Sequence, residues 1–568
     1  MYWSTTYAWL MVVMGVALII LIAILQRLEE IALPTTWKGA SRVVAILKKH
    51  VVLPALYGGT HRRRKTFLGL TLTTPWRLQT IVAILFLGVN FAMMFASINV
   101  YNGNTKYKTR LAQWSVYTAD RAGILALGQL PLLIVFAGRN HIFMWATGWS
   151  FQTFNRFHKL IACTLTAHCV VHAGLYTYIE YLKAPLHEFW EEEYVPWGIA
   201  GLTALIILTT GSIAIVRNLW YDAWLMSHIV FAAVSIVGMW KHVRLAHHGN
   251  GTQVWMPWIY AATALWIFDR LLRIARVVVY NYSTAIDKDA LSSAVLLSDD
   301  VVKMRVPVSP LWKFYPGQYL FLYLPSHSYQ QNHPFSVVDV DRSTPNPTAT
   351  ILFKGRKGMT KRTLDACLSH SSETGSPLQL RALVEGPYGT QPRLDHYDNV
   401  ILVAGGIGIT AMIPFLMYLA ETPIRLTSRS VVLHWILRDT EHAHWFADEF
   451  ARAIAAQSHK KNLLVKIVVH VSKNLASSAS STDGASSKEK HFAVVTTPVD
   501  LPEQVVVQQG RPVLSSLLAA ELEEAVQGSH SVVVSCGPPT LGDDCRAAVI
   551  AGLTASAHVS YIEENFSW

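Results

Sequence analysis

Four histidines have the type and spacing to do chemistry. Two apolar stretches each carry a pair fourteen positions apart, His158 with His172 and His228 with His242. A helix turns about 100° per residue, so fourteen steps make nearly four turns and place both members of a pair on one face, roughly 21 Å apart. Two such helices side by side would bring His158 opposite His228 and His172 opposite His242. Neutral imidazole is an axial ligand of haem iron, so the spacing predicts two b-type haem sites, one near each face of a bilayer.

A single histidine in an apolar helix can equally be a hydrogen-bonded interior residue. The same interval on two successive stretches favours ligands instead. His168 lies one turn before His172 and has no counterpart on the second stretch. We therefore interpret His168 as a packing residue or as a partner of a haem propionate.

A glycine-rich turn follows an apolar strand near position 400. Gly405, Gly406 and Gly408, with Thr410, come between that strand and a predicted helix. Glycines at such a place let the backbone approach a pyrophosphate, where free amide groups and the helix dipole favour anions. Ordinary turn chemistry is the alternative for this motif alone.

Two further strands end in residues that suit the same ligand. The strand Val431–Leu437 ends at Arg438, which could pair with a 2′-phosphate and so favours NADPH over NADH; a solvated charge is the alternative. The strand Ser531–Ser535 leads into Cys536, Gly537 and Pro538. That turn places a thiol and backbone groups at the carboxyl ends of the strands, where ligands bind in open α/β sheets.

Length and composition place part of the chain in lipid. With 568 residues, 52% of them hydrophobic, it is too long for one domain and too apolar for an ordinary soluble protein. The five cysteines show no CxxC spacing, which argues against a disulfide scaffold or a zinc site. The net charge of +11 comes largely from basic residues beside apolar stretches, such as 61–65, and indicates membrane topology rather than a nucleic-acid partner.

Seven apolar stretches are long enough to cross a bilayer. The loop from Gln26 to Thr80 is basic and the loop from Leu182 to Pro196 is acidic, so the amino terminus is expected outside and the carboxyl part in the cytosol. The sequon at Asn250 would then lie outside and could carry a glycan, whereas those at Asn281 and Asn565 would be cytosolic and silent. The predicted spans are Trp3–Leu25, Gln79–Val100, Ala119–Gly138, Phe157–Tyr181, Trp197–Val216, Tyr221–Lys241 and Trp255–Val278.

From about residue 281 the pattern changes to that of soluble domains. Alternating runs at Val301–Val308, Tyr319–Leu324 and Thr348–Phe353 predict strands of an antiparallel barrel. From Asn399 strands alternate with helices, as in a nucleotide-binding fold. The Ser- and Ala-rich tract Ala476–Ser487 is predicted to be a disordered surface loop.

The combination of motifs resembles known flavoproteins. A predicted barrel carrying HPFS (333–336), PGQY (316–319) and GPYG (386–389), followed by GGIGIT (405–410), CGPP (536–539) and a terminal aromatic residue, resembles the ferredoxin-NADP reductase superfamily. Joined to the four spaced histidines, nearly the whole chain resembles the ferric reductase branch of the ferric reductase and NADPH oxidase family.

The resemblance implies roles for individual residues. His333, Pro334, Phe335 and Ser336 would line FAD, and Lys354, Gly358 and Thr360 would lie near its phosphates. Gly405, Gly406, Gly408 and Thr410 would hold the NADPH pyrophosphate. Cys536, Gly537 and Pro538 would lie beside the nicotinamide, and Trp568 would stack on the isoalloxazine, which makes Trp568 and Cys536 the expected catalytic residues.

The sequence departs from the family pattern at two places. Ala411, Met412 and Ile413 stand between the GGIGIT threonine and Pro414, so the start of the helix is expected to differ. The middle of the second histidine helix holds Val234 and Ser235 where the oxidase branch has an aromatic residue. Electron transfer between the haems would then depend on aliphatic packing or on Phe231.

We therefore expect a multi-domain membrane protein. A helical bundle of seven spans with a six-helix haem-binding core (1–279) precedes a β-barrel FAD domain (280–396) and an α/β NADPH-binding domain (397–568). The implied function is a plasma-membrane ferric-chelate reductase that passes electrons from cytosolic NADPH through FAD and two b-type haems to extracytosolic Fe(III) or Cu(II). An iron permease or oxidase would act downstream.

Two other functions stay open at this point. An NADPH oxidase would deliver the electrons to dioxygen and produce superoxide. A seven-span receptor or transporter would use the cytosolic domains as a redox sensor and would bind no haem. The acidic run around His187 and Glu188, with Glu191–Glu193, could attract Fe(III) or Cu(II), although a solvated loop explains it equally well.

Overall fold

The structure is a computed structural model of the chain. It describes residues 2–32, 38–63, 65–67, 70–183, 185–213, 217, 220–246, 254–287, 290–298, 300–343, 346–422, 430–458, 460, 463–472, 501–524, 529–553 and 558–564. Several predictions fall outside these residues: the outer sequon at Asn250, the tract Ala476–Ser487 and the terminal Trp568.

The chain divides into two compact units. The first contains Met1–Ala32, Lys65–Leu72 and Gln79–Ile274, and the second contains Leu33–Arg64, Thr73–Leu78 and Ala275–Trp568. The segment between the first two apolar helices therefore belongs mostly to the unit that holds the soluble domains. The predicted limits at 279/280 and 396/397 stay predictions.

A helix lies at each of the seven predicted spans. Five of them, α1, α3, α4, α6 and α9 below, are long and apolar enough to cross a membrane. The other two are α8, with 17 residues, and α10, which is longer but carries Asp269, Arg270 and Arg273. The ten helices described before residue 287 are α1 (Tyr2–Ala32), α2 (Lys38–Leu47), α3 (Arg77–Phe95), α4 (Arg110–Ala137), α5 (Ile142–Thr147), α6 (Phe151–Lys183), α7 (Leu186–Glu191), α8 (Val195–Gly211), α9 (Tyr221–Leu245) and α10 (Met256–Ile286).

Close helix packing builds the first unit. Leu125 and Leu130 of α4 and Leu165 of α6 are almost fully buried in its interior. Helices α8 and α9 approach so closely that a Cβ added to Gly238 would lie 2.8 Å from the Cα of Gly201. Small residues at a helix contact permit this approach of backbones, and it fixes α9, which carries His228 and His242.

Two antiparallel sheets follow α10. The five-stranded sheet has the order β7-β8-β4-β3-β9, and the three-stranded sheet has the order β10-β5-β6. The predicted strands at 301–308, 319–324 and 348–353 are present with limits that differ by at most one residue. Closure into a barrel stays a prediction. The strands are β3 (Ser292–Ser298), β4 (Val301–Pro307), β5 (Tyr319–Leu324), β6 (Ser328–Ser336), β7 (Asp339–Asp341), β8 (Thr348–Lys354), β9 (Leu378–Leu380) and β10 (Leu383–Tyr388), after a short hairpin of β1 (Lys65–Phe67) and β2 (Leu70–Leu72).

The last part of the chain forms a six-stranded parallel sheet with the order β14-β13-β12-β11-β15-β16. Alternate residues of the central strand face opposite sides: Val400 and Leu402 join one buried cluster, Ile401 and Val403 another. Helices cover both faces, as buried parallel strands require. The elements are α11 (Met359–Thr374), β11 (Asn399–Gly405), α12 (Ile409–Glu421), β12 (Ser430–Leu437), α13 (Ala447–Ser458), β13 (Leu464–Val471), β14 (Val505–Gln509), α14 (Leu514–Glu524), β15 (His530–Cys536), α15 (Pro539–Gly552) and β16 (His558–Glu564).

Asn281 joins the end of α10 to the three-stranded sheet. Its side-chain amide donates to the carbonyl oxygens of Val277 (2.6 Å) and Val384 (2.7 Å), and its side-chain oxygen accepts from the amide of Val384 (2.9 Å). Asn281 is buried, so a glycan could not be attached there in the folded chain. The buried side chain supports the expectation that this sequon is silent.

Replacement of Asn281 tests this junction. Asn281→Ala leaves two backbone groups of Val384 without their partner, and each unsatisfied buried group costs about 1–3 kcal/mol. We expect a clearly lower midpoint of thermal unfolding, followed by circular dichroism on the full-length protein. Asn346→Ala, which removes a bond from that side chain to Asp287, is the matched control and should lower the midpoint less. Equal midpoints for the two variants would contradict the assignment.

Candidate functional site

The four histidines form two facing pairs within the first unit. His158 and His172 lie on α6, and His228 and His242 lie on α9. The ring centroids of His158 and His228 are 6.4 Å apart, and those of His172 and His242 are 6.1 Å apart. The structure thus brings together the residues that the fourteen-residue spacing pairs, while their role as ligands stays a prediction.

Backbone carbonyls on neighbouring helices orient three of these rings. The Nδ1 atoms of His158, His172 and His242 lie 2.9, 2.8 and 3.0 Å from the carbonyl oxygens of Leu133, Ala119 and Tyr194, respectively. A carbonyl oxygen only accepts, so each Nδ1 donates a proton. The lone pair of each ring is then on Nε2, which is the arrangement a metal-binding imidazole needs.

The fourth ring, His228, has a weaker contact. Its Nδ1 lies 3.5 Å from the hydroxyl oxygen of Ser212. The ring also packs at 5.2 Å from the ring of Trp224 on its own helix. The pair His158 and His228 is therefore held by one carbonyl and one hydroxyl, whereas the pair His172 and His242 is held by two carbonyls.

The separation within each pair fits an iron ion between two imidazoles. Metal–nitrogen bonds are about 2.0–2.1 Å, and a ring nitrogen lies about 1 Å from its own centroid, so two trans imidazoles have centroids about 6 Å apart. Both observed separations match. Among the described residues no group of three or more His, Cys, Asp or Glu side chains could hold a metal ion. Two facing imidazoles leave the other ligands of an iron ion to a bound group, and this is the donor set that haem requires.

Two glycines make room for the rings of His172 and His242. A Cβ on Gly123 of α4 would lie 2.8 Å from Nδ1 of His172, and a Cβ on Gly198 of α8 would lie 2.6 Å from Nδ1 of His242. Real Cβ atoms do not approach this closely, so these positions require glycine. Sequence reasoning missed both residues, and the available signal was only that each glycine interrupts an apolar helix.

His168 has hydrogen-bond partners within the helix bundle. Its Nδ1 lies 3.0 Å from Nε2 of Gln129. The hydroxyl of Thr164 donates to Oε1 of the same glutamine at 2.7 Å. All three side chains are buried. These contacts support the packing role for His168 over the propionate role.

The predicted outer end of the bundle carries an acidic cavity. Its volume is about 190 Å³, and it is lined by Glu180, Pro185, Glu188, Phe189, Glu192 and Tyr194. Tyr194 also supplies the carbonyl that holds His242, and its ring lies 5.5 Å from the His242 ring. Glu188 and Glu192 belong to the acidic run noted in the sequence, whereas Glu180 was missed because it lies on α6.

The dinucleotide motif has the predicted strand, turn and helix. Strand β11 ends at Gly405, a 3₁₀ turn covers Gly406–Gly408, and α12 begins at Ile409. The hydroxyl of Thr410 donates to the carbonyl of Ile407 at 2.9 Å and stabilises the turn. Pro414 lies inside α12, so the three residues before it do not prevent the helix from starting at 409.

This turn packs against the loop that follows β15. A Cβ on Gly405 would lie 2.8 Å from Cδ of Pro538, and a Cβ on Gly408 would collide with the carbonyl of Cys536. Gly537 in turn approaches the backbone of Gly405. The residues predicted for pyrophosphate and nicotinamide therefore meet at the carboxyl ends of the neighbouring strands β11 and β15.

Cys536 and Arg438 differ in exposure. Cys536 is buried, and burial together with the nearby carboxylate of Glu564 raises the pKa of its thiol well above the usual value. The thiol is therefore protonated at neutral pH. Arg438 directly follows β12 and is exposed, so its guanidinium is available to a ligand at the same edge of the sheet.

The residues predicted for the flavin lie on the antiparallel sheets. His333, Pro334, Phe335 and Ser336 end β6 and pair with β5, and the ring of Phe335 lies 5.0 Å from that of Phe353. Nearby, the guanidinium of Arg276 lies 4.9 Å from the ring of Tyr388, whose ring stacks on that of Tyr319.

The predicted phosphate-binding residues surround the start of α11. Gly358 precedes that helix with a φ of +60°, a conformation that favours glycine. Lys354 forms an ion pair with Asp300 at 2.8 Å, so it would have to exchange this partner for a phosphate. Thr360 donates its hydroxyl to the carbonyl of Lys357 at 3.1 Å.

The position of Glu564 at the end of β16 makes the stability of the folded chain depend on pH. This residue is in register with Cys536 on β15, and burial raises the pKa of its carboxyl to about 7. An unfolded glutamate has a pKa of about 4.3. Between these two pH values the carboxyl is therefore mostly protonated in the folded state and mostly ionised in the unfolded state. Stability from this group is present at low pH and is lost as the pH rises towards 7.

We expect the midpoint temperature of thermal unfolding of the full-length protein to fall as the pH is raised from 5 to 7.5. Glu564→Gln, which stays neutral, should reduce that fall. Glu373→Gln on the exposed side of α11 is the control and should leave the fall unchanged. An identical pH dependence in wild type and Glu564→Gln would contradict a raised pKa.

Comparison with known proteins covers the same regions. A model of the ferric reductase like transmembrane component matches residues 122–239, which include His158, His172 and His228. A model of an FAD-binding domain matches residues 288–392, and a model of the ferric reductase NAD binding domain matches residues 397–550. The three models follow one another along most of the chain.

Individual relatives are similar over nearly the full chain. Ferric reductase transmembrane component 3 of Saccharomyces cerevisiae is 29% identical over 99% of this chain and 77% of that protein. Ferric/cupric reductase transmembrane component 2 of the same yeast is 29% identical over 93% of this chain and 72% of that protein. Ferric/cupric reductase transmembrane component 1 of Candida albicans is 26% identical over 97% of this chain and 71% of that protein.

The transmembrane, flavin and nucleotide regions recognised by these matches coincide with the apolar helices, the antiparallel sheets and the parallel sheet described above. These matches support the ferric reductase family for this chain, with a ferredoxin-NADP reductase-like module, and they identify the chain as a transmembrane NAD(P)H-dependent oxidoreductase.

Proposed function

We propose that this protein is a transmembrane ferric-chelate reductase that passes electrons from cytosolic NADPH through FAD and two b-type haems to extracytosolic Fe(III) or Cu(II). The observation that carries the proposal is the presence of two facing imidazole pairs at a separation that suits iron. The proposal includes seven membrane spans, the amino terminus outside and a plasma-membrane location.

The four histidines would hold the haems. His158 and His228 would bind the inner one, and His172 and His242 the outer one. When bound there, haem would supply a one-electron carrier. The carbonyls of Leu133, Ala119 and Tyr194 keep three of the rings in the tautomer that can bind iron.

The soluble domains would hold the electron donor. His333–Ser336 and the start of α11 would contact FAD, which supplies the exchange between a hydride and single electrons. Gly405–Gly408 and Thr410 would present backbone amides to the NADPH pyrophosphate at the start of α12. Cys536–Pro538 and the terminal Trp568 would lie at the nicotinamide and flavin rings.

The acidic cavity supports a cationic acceptor. Glu180, Glu188 and Glu192 line it. Glu180 pairs with Lys183 at 2.6 Å, so the lining keeps a net negative charge mainly through Glu188 and Glu192, which raises the local concentration of metal cations. The cavity shares Tyr194 with the outer histidine pair, so a cation there is near the predicted end of the electron path. The names of the relatives, ferric and ferric/cupric reductases, favour the same acceptor class.

Outer histidine variants test the electron path. His172→Ala and His242→Ala should each lower haem from two to one per polypeptide and abolish reduction of an external ferric chelate. NADPH-driven reduction of a soluble dye should survive, because the soluble domains are unchanged. The measurements are haem content per polypeptide and the two rates side by side.

His168→Gln is the matched control on the same helix and should retain both haems. Superoxide dismutase should leave chelate reduction by the wild type unchanged, and inhibition would indicate an NADPH oxidase instead. Two haems in both outer variants would show that the ligands are wrongly assigned.

Arg438 tests the preference for NADPH. A charge-assisted hydrogen bond contributes about 1.5–3 kcal/mol, so Arg438→Ala should raise KM for NADPH by about tenfold or more and leave KM for NADH nearly unchanged. Steady-state dye reduction with both nucleotides measures this. Arg452→Ala, which removes an exposed arginine of α13 that pairs with Glu421, should change neither KM. An equal rise for both nucleotides at position 438 would reject 2′-phosphate recognition.

A further inference from the structure

The segment between the first two apolar helices packs against the nucleotide-binding domain. We define the strap as residues 48–63 and 73–76, which lie in the second compact unit. It begins with a π-helix, Lys48–Val52. Leu53 is buried in the cluster that contains Leu541 and Cys545 of α15, and Nζ of Lys49 donates to the carbonyl of Leu553 at 3.1 Å.

Three successive amides of the strap bind one carboxylate. The backbone N–H groups of His61, Arg62 and Arg63 donate to Asp543 of α15 at 2.8, 2.9 and 3.0 Å. Asp543 is 2% exposed, so its charge is compensated by the strap rather than by water. Consecutive amides that converge in this way form a natural anion-binding nest.

A buried network of charges extends from this carboxylate. NH1 of Arg62 pairs with Glu563 of β16 at 2.8 Å, and the two side chains are 10% and 8% exposed. Arg546 of α15 pairs with both Glu563 and Asp543 and is covered by the ring of Trp76, also in the strap. Two positive and two negative groups therefore balance one another away from solvent. Removal of one member leaves an uncompensated buried charge, which is strongly destabilising for such a contact.

The adjacent basic residue differs in burial. Arg63 pairs with Asp544, and both side chains are 42% exposed. Exposed ion pairs contribute little. Arg62 and Arg63 thus carry the same charge in the same basic run, but only Arg62 takes part in the buried network.

The contact between the strap and the nucleotide-binding domain adds a second connection between that domain and the membrane helices along the chain. Along the chain the strap follows α1 and α2 and precedes α3, whereas α10 leads into the soluble domains. A nucleotide-binding domain attached by α10 alone could move more freely. The strap contacts β16. In that strand Glu564 is in register with Cys536 of β15, at the predicted nicotinamide turn. Small displacements of reacting groups can cost about a hundredfold in rate.

We propose that the strap is a second anchor that positions the nucleotide-binding domain for electron delivery to the membrane helices, and that Arg62 and Asp543 are its positioning residues. The inference rests on the proposed function, since it concerns transfer from the soluble domains to the haems. Neither residue is among those predicted to hold NADPH or FAD, so each is proposed to act through domain position. The rate of dye reduction and the KM for NADPH should not depend on them.

The test uses the full-length protein in detergent with Arg62→Ala, Asp543→Asn, Arg62→Lys and, as the matched control, Arg63→Ala. We expect Arg62→Ala and Asp543→Asn to lower NADPH-driven haem reduction, followed by absorbance, and chelate reduction at least tenfold. Dye reduction and KM for NADPH should stay within twofold of wild type. Arg62→Lys should recover much of the loss, and Arg63→Ala should behave as wild type.

Trypsin provides a second, non-catalytic measurement, because the basic run 61–65 contains four cleavage positions. Cleavage there should be slow in the wild type and at least tenfold faster in Asp543→Asn, in which the three amides lose their acceptor charge.

Three outcomes would overturn the anchor. Equal losses for Arg62→Ala and Arg63→Ala would indicate that the basic run acts on a membrane surface through its charge. A loss of dye reduction as large as the loss of chelate reduction would indicate a folding role alone. Wild-type rates in Arg62→Ala and Asp543→Asn would show that the contact has no role in transfer. Failure of the wild type itself to reduce haem with NADPH would instead reject the proposed function.

Discussion

The structure depends most on the fixed orientation of four imidazole rings inside an apolar bundle. An imidazole in such surroundings must satisfy one nitrogen with a proton acceptor before the other can bind a metal. Here the acceptors for the outer pair are main-chain carbonyls of Ala119 and Tyr194, one from α4 and one beside the start of α8. Because the acceptors are backbone atoms, the positions of whole helices determine where the rings point.

That constraint explains why glycine occupies particular places in the bundle. Gly123 and Gly198 let the backbones of α4 and α8 lie against the rings of His172 and His242. Gly201 and Gly238 bring α8 and α9 together, which holds His242 within reach of Tyr194. The same principle operates in the soluble part, where Gly405, Gly408 and Gly537 allow two strand ends to meet at one ligand edge. In both places the absence of a side chain permits the close approach of backbone to a neighbouring ring or turn.

Local patterns in the sequence predicted much of this arrangement. The fourteen-residue interval predicted which histidines face each other because it depends only on helix geometry. The strand Tyr319–Leu324 has its predicted limits, and the glycine turn after β11 has its predicted form, since alternation and turn chemistry act over a few residues. The helices α8 and α10 were harder, because one is short and the other continues past residue 278 to bond with β10 through Asn281.

Contacts between distant parts of the chain could not be predicted from such patterns. The amide of His61 and the carboxylate of Asp543 are separated by 482 positions, and no periodicity links them. The basic run 61–65 was interpreted as a topology signal, yet Arg62 and Arg63 each pair with an acidic residue of the nucleotide-binding domain. Glu180 was missed in the acidic cavity for the same reason, because helix packing and not sequence proximity places it beside Glu188 and Glu192.

The proposed function requires that each facing pair bind one iron through two imidazoles. Low-temperature electron paramagnetic resonance of the oxidised full-length protein tests it directly, because iron with two axial imidazoles is low-spin and iron with an open position is usually high-spin. We expect two low-spin ferric signals of equal intensity. The more anisotropic signal should come from His172 and His242, because their rings are inclined at 87° and those of His158 and His228 at 55°. A stoichiometric high-spin signal, or a single low-spin centre per chain, would contradict it.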